Sequence, residues 1–156
     1  MLPPRTRIGF TGSRFVLLKE DRHRQQKQRL IVDSRLDELV SSDVGMAVAI
    51  TGACVGIDQY IAEYLLCKHP DVRQIIVVPG DAKLVSGLFL DRMQQHSSIV
   101  TILHMPPGSS YRDRNKRIVF LSDMVEAFWD GRKRSGTLMT INIARKAGKL
   151  QKVTMI

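Results

Sequence analysis

Short apolar runs alternate with amphipathic stretches from one end of this chain to the other, and that alternation restricts the fold more than any other feature. "RIGFTGS" (7–13), "GMAVAITG" (45–52), "VRQIIVVPG" (72–80), "SIVTILH" (98–104), "MVEAFWDG" (124–131) and "QKVTMI" (151–156) read as strands. They are apolar at several consecutive positions, the pattern of strands covered by helices on both faces. Between them lie helical patterns. Residues 29–42 place Leu30, Ile31, Leu36, Leu39 and Val40 near one stripe, and 56–69 align Ile57, Ile61 and Leu65. A weaker helix is expected near 86–96, another over 109–122, and a last one over 136–147, closed by Gly148. This βαβα order predicts an α/β fold: a doubly wound, mostly parallel sheet with helices on both faces. With no internal repeat, low-complexity tract or linker, residues 1–156 read as a single domain.

Composition narrows the function classes. Hydrophobic residues at 44% and charged residues at 25% are ordinary for a soluble globular chain. No apolar run approaches the roughly 18 residues of a membrane span. The opening "MLPPRTRIGF" has no long apolar segment of the signal-peptide kind, so the expected location is cytoplasmic, with no membrane partner. Cys54 and Cys67 lie 13 positions apart, and His23, His69, His96 and His104 lack metal-ligand spacing, so neither a metal nor a cofactor is expected. The net charge of +9 points to a polyanionic partner. Residues 1–35 carry nine Lys/Arg against three acids, which is +6 of that +9.

In open α/β sheets, ligands bind beyond the carboxyl ends of the strands, where loops feed helix N-termini. Three such ends carry small residues here: Thr11-Gly12-Ser13-Arg14, the segment "TGACVGID" (51–58), and the stretch after Asp130-Gly131. Glycines permit close backbone approach, and the free N–H groups of the following helix attract phosphate. Ser135 has N-cap chemistry, which leaves Gly136, Thr137 and Leu138 to present amides. Capping alone does not account for Arg132, Lys133 and Arg134, because cations beside a helix N-terminus oppose its dipole. An anion bound there would reverse the sign. In "YRDRNKRIVFLS", Arg114 and Asn115 either belong to a solvated face or point into the crevice to hold a phosphate and a sugar or base. Asp58 caps its own helix or contacts a ribose hydroxyl. Glu126, inside a strand, pairs with an arginine or lies below the ligand edge, and Trp129 is a base-stacking or core residue.

Together "TGSR", "AITGACVGIDQYIAEYLL", "YRDRNKRIVFLSDMVEAFW" and "SGTLMTINIARKAGK" resemble the Rossmann-like core of the DNA-processing protein A (Smf) family, and the wider superfamily it shares with the Lonely Guy cytokinin-activating enzymes. The matching positions are Gly12-Ser13-Arg14, Gly52-Ala53 with Gly56-Ile57-Asp58, Arg114-Asn115 with Leu121-Ser122, and Ser135-Gly136-Thr137-Leu138 with Thr140. They follow the family's order and span about 130 of 156 residues. The resemblance implies a single Rossmann-like domain that binds a nucleotide or another phosphorylated small molecule. Gly12, Ser13, Arg14, Gly52, Ala53, Gly56, Asp58, Arg114, Asn115, Ser135, Gly136, Thr137 and Thr140 would form its ligand site.

Two departures qualify that expectation. The Smf proteins that load recombinase onto single-stranded DNA usually carry extra helical modules that this chain lacks, so their recombination role is not expected here; single-stranded nucleic-acid binding stands as an alternative on the basic N-terminal third. The Lonely Guy enzymes hydrolyse a nucleoside monophosphate through the glutamate of "PGGxGTxxE", where this chain has Thr140. Threonine cannot act as that carboxylate. An N-glycosidase alternative therefore needs another acid, with Asp58, Asp130 and Glu126 as candidates. Relatives of this kind commonly form homodimers, and the sequence leaves that open.

Overall fold

The computed structural model describes residues 6–14, 21–81 and 85–156. Among them, β1 (Thr6–Gly12), β2 (Met46–Thr51), β3 (Arg73–Val78), β4 (Val100–His104), β5 (Met124–Trp129) and β6 (Leu150–Met155) form one sheet. Its order is β4-β3-β2-β1-β5-β6, and every neighbouring pair is parallel. Helices α1 (Arg22–Ser41), α2 (Ile57–Lys68), α3 (Gly87–Gln94), α4 (Tyr111–Leu121) and α5 (Gly136–Lys146) connect successive strands. The fold is thus the Rossmann-like doubly wound α/β arrangement that the alternating pattern predicts. No helix among the described residues is long and apolar enough to cross a membrane.

The two faces follow from the two-residue strand period. Ile8 and Phe10 of β1, Ala49 of β2 and Phe128 of β5 pack against Val32, Leu36 and Leu39 of α1 and Ile57, Ile61 and Leu65 of α2. Ile76 and Val78 of β3 extend that layer onto Phe89 and Met93 of α3. On the opposite face, Ile50 and Val77 meet Ile118 of α4, while Val125 meets Val119 of α4 and Ala144 of α5. Each helix therefore buries one stripe against a sheet whose inner strands are covered on both faces, while Gln151, Lys152 and Met155 of the edge strand β6 are exposed.

One helix departs from its sequence pattern. α1 begins at Arg22, seven residues before the expected start, because Asp21 caps it by accepting the Arg24 amide at 3.1 Å. The segment "RHRQQKQR" has no apolar period to announce a helix. The stripe also rotates: Gln28, Val32, Leu36 and Leu39 are buried, whereas Leu30 and Ile31 face outward at 59% and 40% exposure. A helix phased on Val32, Leu36 and Leu39 turns Leu30 and Ile31 off the core side.

Strand order places the crevice. From β1 the chain steps outward through β2 and β3 to β4, then α4 carries it back across the sheet to β5 on the other side of β1. Connections leave β1 and β5 in opposite directions, so their carboxyl ends part and open a cleft between the loops.

Candidate functional site

That cleft contains a cavity of about 230 Å³, close to the lower end of the roughly 300–1,000 Å³ range of small-ligand pockets. Its floor is the end of β1 and the turn after it, Thr11 to Arg14. Cys54 and Asp58 form one wall, and Tyr111, Arg114, Asn115 and Ile118 form the next. The last wall is the start of α5, with Arg132, Arg134, Ser135, Gly136, Thr137 and Met139. Four segments far apart in sequence thus converge at the point where strand order reverses.

The α4 wall follows from helical spacing. Arg114, Asn115, Ile118 and Val119 occupy the buried stripe, while Arg112, Lys116 and Arg117 remain exposed. Ser110 and Asp113 form a reciprocal capping box that fixes the first turn. Arg114 is consequently a guanidinium only 5% exposed. Its Nη1 donates to the Gly52 carbonyl and lies 3.8 Å from Asp58 Oδ2, and its Nη2 contacts Cys54 Sγ at 3.4 Å. Its Nε is buried with no hydrogen-bond partner among the described residues. A buried donor left unpaired costs about 1–3 kcal/mol, more when charged.

The β2–α2 turn is shaped around this arginine. A Cβ at Gly52 would stand 1.8 Å from Arg114 Nη1, so only glycine leaves room for the guanidinium there. Ala53 takes φ of 64°, a left-handed conformation uncommon for a residue with a side chain. The turn brings the Cys54 amide to Asp58 Oδ2 at 3.3 Å. At Gly56, φ is 95° and a Cβ would approach the Arg14 carbonyl oxygen to 2.4 Å, so this glycine lets the β1 turn press against the start of α2.

Asp58 is buried at the cavity wall, and desolvation pushes its carboxyl up to about 6, against the opposing pull of Arg114, the Cys54 amide and Arg14. Burial also raises the Cys54 thiol and the Tyr111 phenol. The α5 wall has the opposite polarity. Ser135 caps the helix by accepting the Leu138 amide at 3.1 Å, and the first turn contains no acid. The amides of Gly136 and Thr137 precede any carbonyl the helix could offer them, so they project from its positive end. Ser135 is therefore a cap and part of the cavity at once.

Several residues singled out from the sequence lie elsewhere. Gly52, Ala53 and Gly56 shape the turn and do not line the cavity. Thr140 is fully buried, and its hydroxyl donates to the Gly136 carbonyl at 2.9 Å. Asp130 lies beside the lining. Its amide donates to Ser13 Oγ, and its carboxylate receives Arg132 Nε at 2.7 Å. Desolvation raises that carboxyl, but the Arg132 amide and guanidinium together with Ser13 hold it below the ordinary range.

Glu126 shares a face with Phe128 and so points toward α1, where Arg35 grips both its oxygens at 2.7 and 3.0 Å. Trp129 donates its indole N–H to the Arg132 carbonyl and does not line the cavity. The sequence pattern gave no notice of Tyr111, Met139 or Cys54 as lining residues. Tyr111 could have been found as the residue one turn before Arg114-Asn115 on the same helix side.

Among the described residues, no group of three or more His, Cys, Asp or Glu side chains is placed to hold a metal ion. No protein-family model matches the chain, and no curated protein matches its sequence.

Proposed function

We propose that the chain binds a nucleotide, or a closely related phosphorylated small molecule, as a member of the Smf and Lonely Guy superfamily. The single observation that carries this reading is Arg114: a guanidinium almost wholly buried in the cavity wall, its Nε without a partner among the described residues. Opposite it stand the amide end of α5 with Arg134, and Arg14 rises from the floor. A phosphate at this end would neutralise the α5 dipole and accept from amides and guanidinium groups together. The apolar lining of Ile118, Met139 and the Tyr111 ring suits a base. The enclosed volume suits a mononucleotide better than a strand, and 6% aromatic content offers few stacking platforms for single-stranded nucleic acid.

Thermal unfolding tests the reading. A nucleoside phosphate at 100 times its Kd adds about 2.7 kcal/mol, or roughly 5–10 °C in Tm for a chain of this size. Bare nucleosides should give little or no shift. A broad nucleotide panel without any stabilisation would remove the proposal.

One observation favours hydrolysis as a second reading. Of the three candidate acids, Asp58 alone lines the cavity, and its carboxyl lies near 6, where it can exchange a proton at neutral pH. Release of free base from nucleoside monophosphates, abolished in Asp58→Asn, is the expected result; absence of turnover removes this reading and leaves binding intact.

A further inference from the structure

We propose that Asp58 accepts a hydrogen bond from a ribose hydroxyl, so that the cavity selects ribonucleotides over their deoxy counterparts. The inference rests on the nucleotide reading above and deepens it.

The cavity is electrically divided. Its α5 side presents helix amides with no acid in the first turn, together with Arg134. Its α2 side presents a buried carboxyl. A phosphate dianion offers a carboxylate no proton and is repelled by it, so the ligand meets Asp58 best with a neutral donor. Along a nucleotide the group next to the phosphate is the sugar, whose hydroxyls are donors. The flat, weakly polar base then falls against Tyr111, Ile118 and Met139.

The protein already engages one Asp58 oxygen. Oδ2 takes the Cys54 amide at 3.3 Å and faces Arg114 Nη1 at 3.8 Å. Oδ1 forms no hydrogen bond with another described residue, and it is not among the sealed, unsatisfied atoms of the interior. Two fixed contacts on one oxygen hold the carboxyl plane and leave the other oxygen for the cavity. Arg114 acts here as a positioning residue: it fixes the acid and keeps its buried charge compensated. A purely structural acid would have no reason to leave one oxygen unbonded beside a void.

Calorimetric titration of the unmodified protein decides the matter without a variant. Adenosine, guanosine, cytidine and uridine 5′-monophosphates are compared with their 2′-deoxy and 3′-deoxy forms. Loss of a hydrogen bond to a charged group predicts that the ribonucleotide binds roughly 10- to 100-fold more tightly than at least one deoxy form of the same base. Ribo, 2′-deoxy and 3′-deoxy forms binding within about twofold of one another overturn the inference and leave the nucleotide reading standing. Failure of every nucleotide to bind overturns both. A preference that follows the exocyclic amino group of the base, with no dependence on the sugar, also overturns it. In Asp58→Ala the ribo-to-deoxy ratio should fall to about one; persistence of the wild-type ratio in that folded variant sinks the assignment to Asp58.

Discussion

Gly52→Ala puts the architecture of the Arg114 wall to a quantitative test. The new methyl carbon would stand 1.8 Å from Nη1, 2.6 Å from Cζ and 2.9 Å from Asp58 Oδ2. Comfortable contact needs about 3.5 Å, so the guanidinium must retreat by roughly 1.7 Å. The obstructing atoms end a long side chain, so the arginine moves and the backbone stays. Retreat breaks the bond to the Gly52 carbonyl and the contact with Cys54. The first of these is a bond from a charged donor, worth about 1.5–3 kcal/mol, which corresponds to a Tm lower by roughly 3–12 °C.

Moving Arg114 also uncovers the Cys54 thiol. In a Cys67→Ser background, which removes the exposed cysteine, Cys54 should be alkylated measurably faster in Gly52→Ala than in the parent. Nucleotide stabilisation should fall in the same variant. A Tm within about 1 °C of the parent, with Cys54 reactivity unchanged, would refute the placement of Arg114 against Gly52.

Three further outcomes are expected. Glu126→Gln breaks the bidentate pair with Arg35, which keeps Glu38 at 3.1 Å, and should cost about 1.5–3 kcal/mol in urea unfolding, whereas Arg35→Met with Glu126→Leu recovers most of it; the nucleotide-induced Tm shift should survive in both, because the pair lies on the α1 face. Asp58 carries a carboxyl near 6 when folded against 3.8 when unfolded, so the folded chain retains a proton that the unfolded chain releases, and stability falls as pH rises from about 4 to 6 and then levels. That interval is worth about 3 kcal/mol, and Asp58→Asn should abolish its share of the slope in unfolding measured across it. Ser135→Asp keeps a capping oxygen and adds a charge that suits the helix dipole, so the fold should hold or gain about 0.3–1 kcal/mol, while nucleotide affinity drops; unchanged affinity would reduce Ser135 to a cap alone.

The sheet was legible because its strands are continuous apolar runs between helices whose stripes keep a 3.6-residue period. The first turns of α1 were not, since their polar residues cover no core and only the Asp21 cap marks where they begin. The site was legible in its turns and obscure in its walls. Ser13, Arg14 and Ser135 sit at strand-to-helix corners that chemistry alone identifies. Whether Arg114 faced solvent or the cleft depended on the phase of α4, which Ile118 and Val119 set by burying the same stripe. Glu126 was ambiguous because its facing follows from strand parity and its partner Arg35 lies 91 residues away. Thr140 turns its hydroxyl back on its own helix, a local bond that competes with any ligand.

The strand at the heart of the sheet is the first to be made and among the last to be completed. β1 pairs with β2 through Gly9 and Ile50, but its other edge waits for Val125, 116 residues downstream. Until then a nascent chain exposes a row of unpaired amides at what will become its centre, open to pairing with the wrong strand. The cavity matures on the same schedule, since its α5 wall is the last to be synthesised. A ligand that engages Ser13 and Ser135 together would thus recognise only chains that have closed this seam, and its binding would report completed folding.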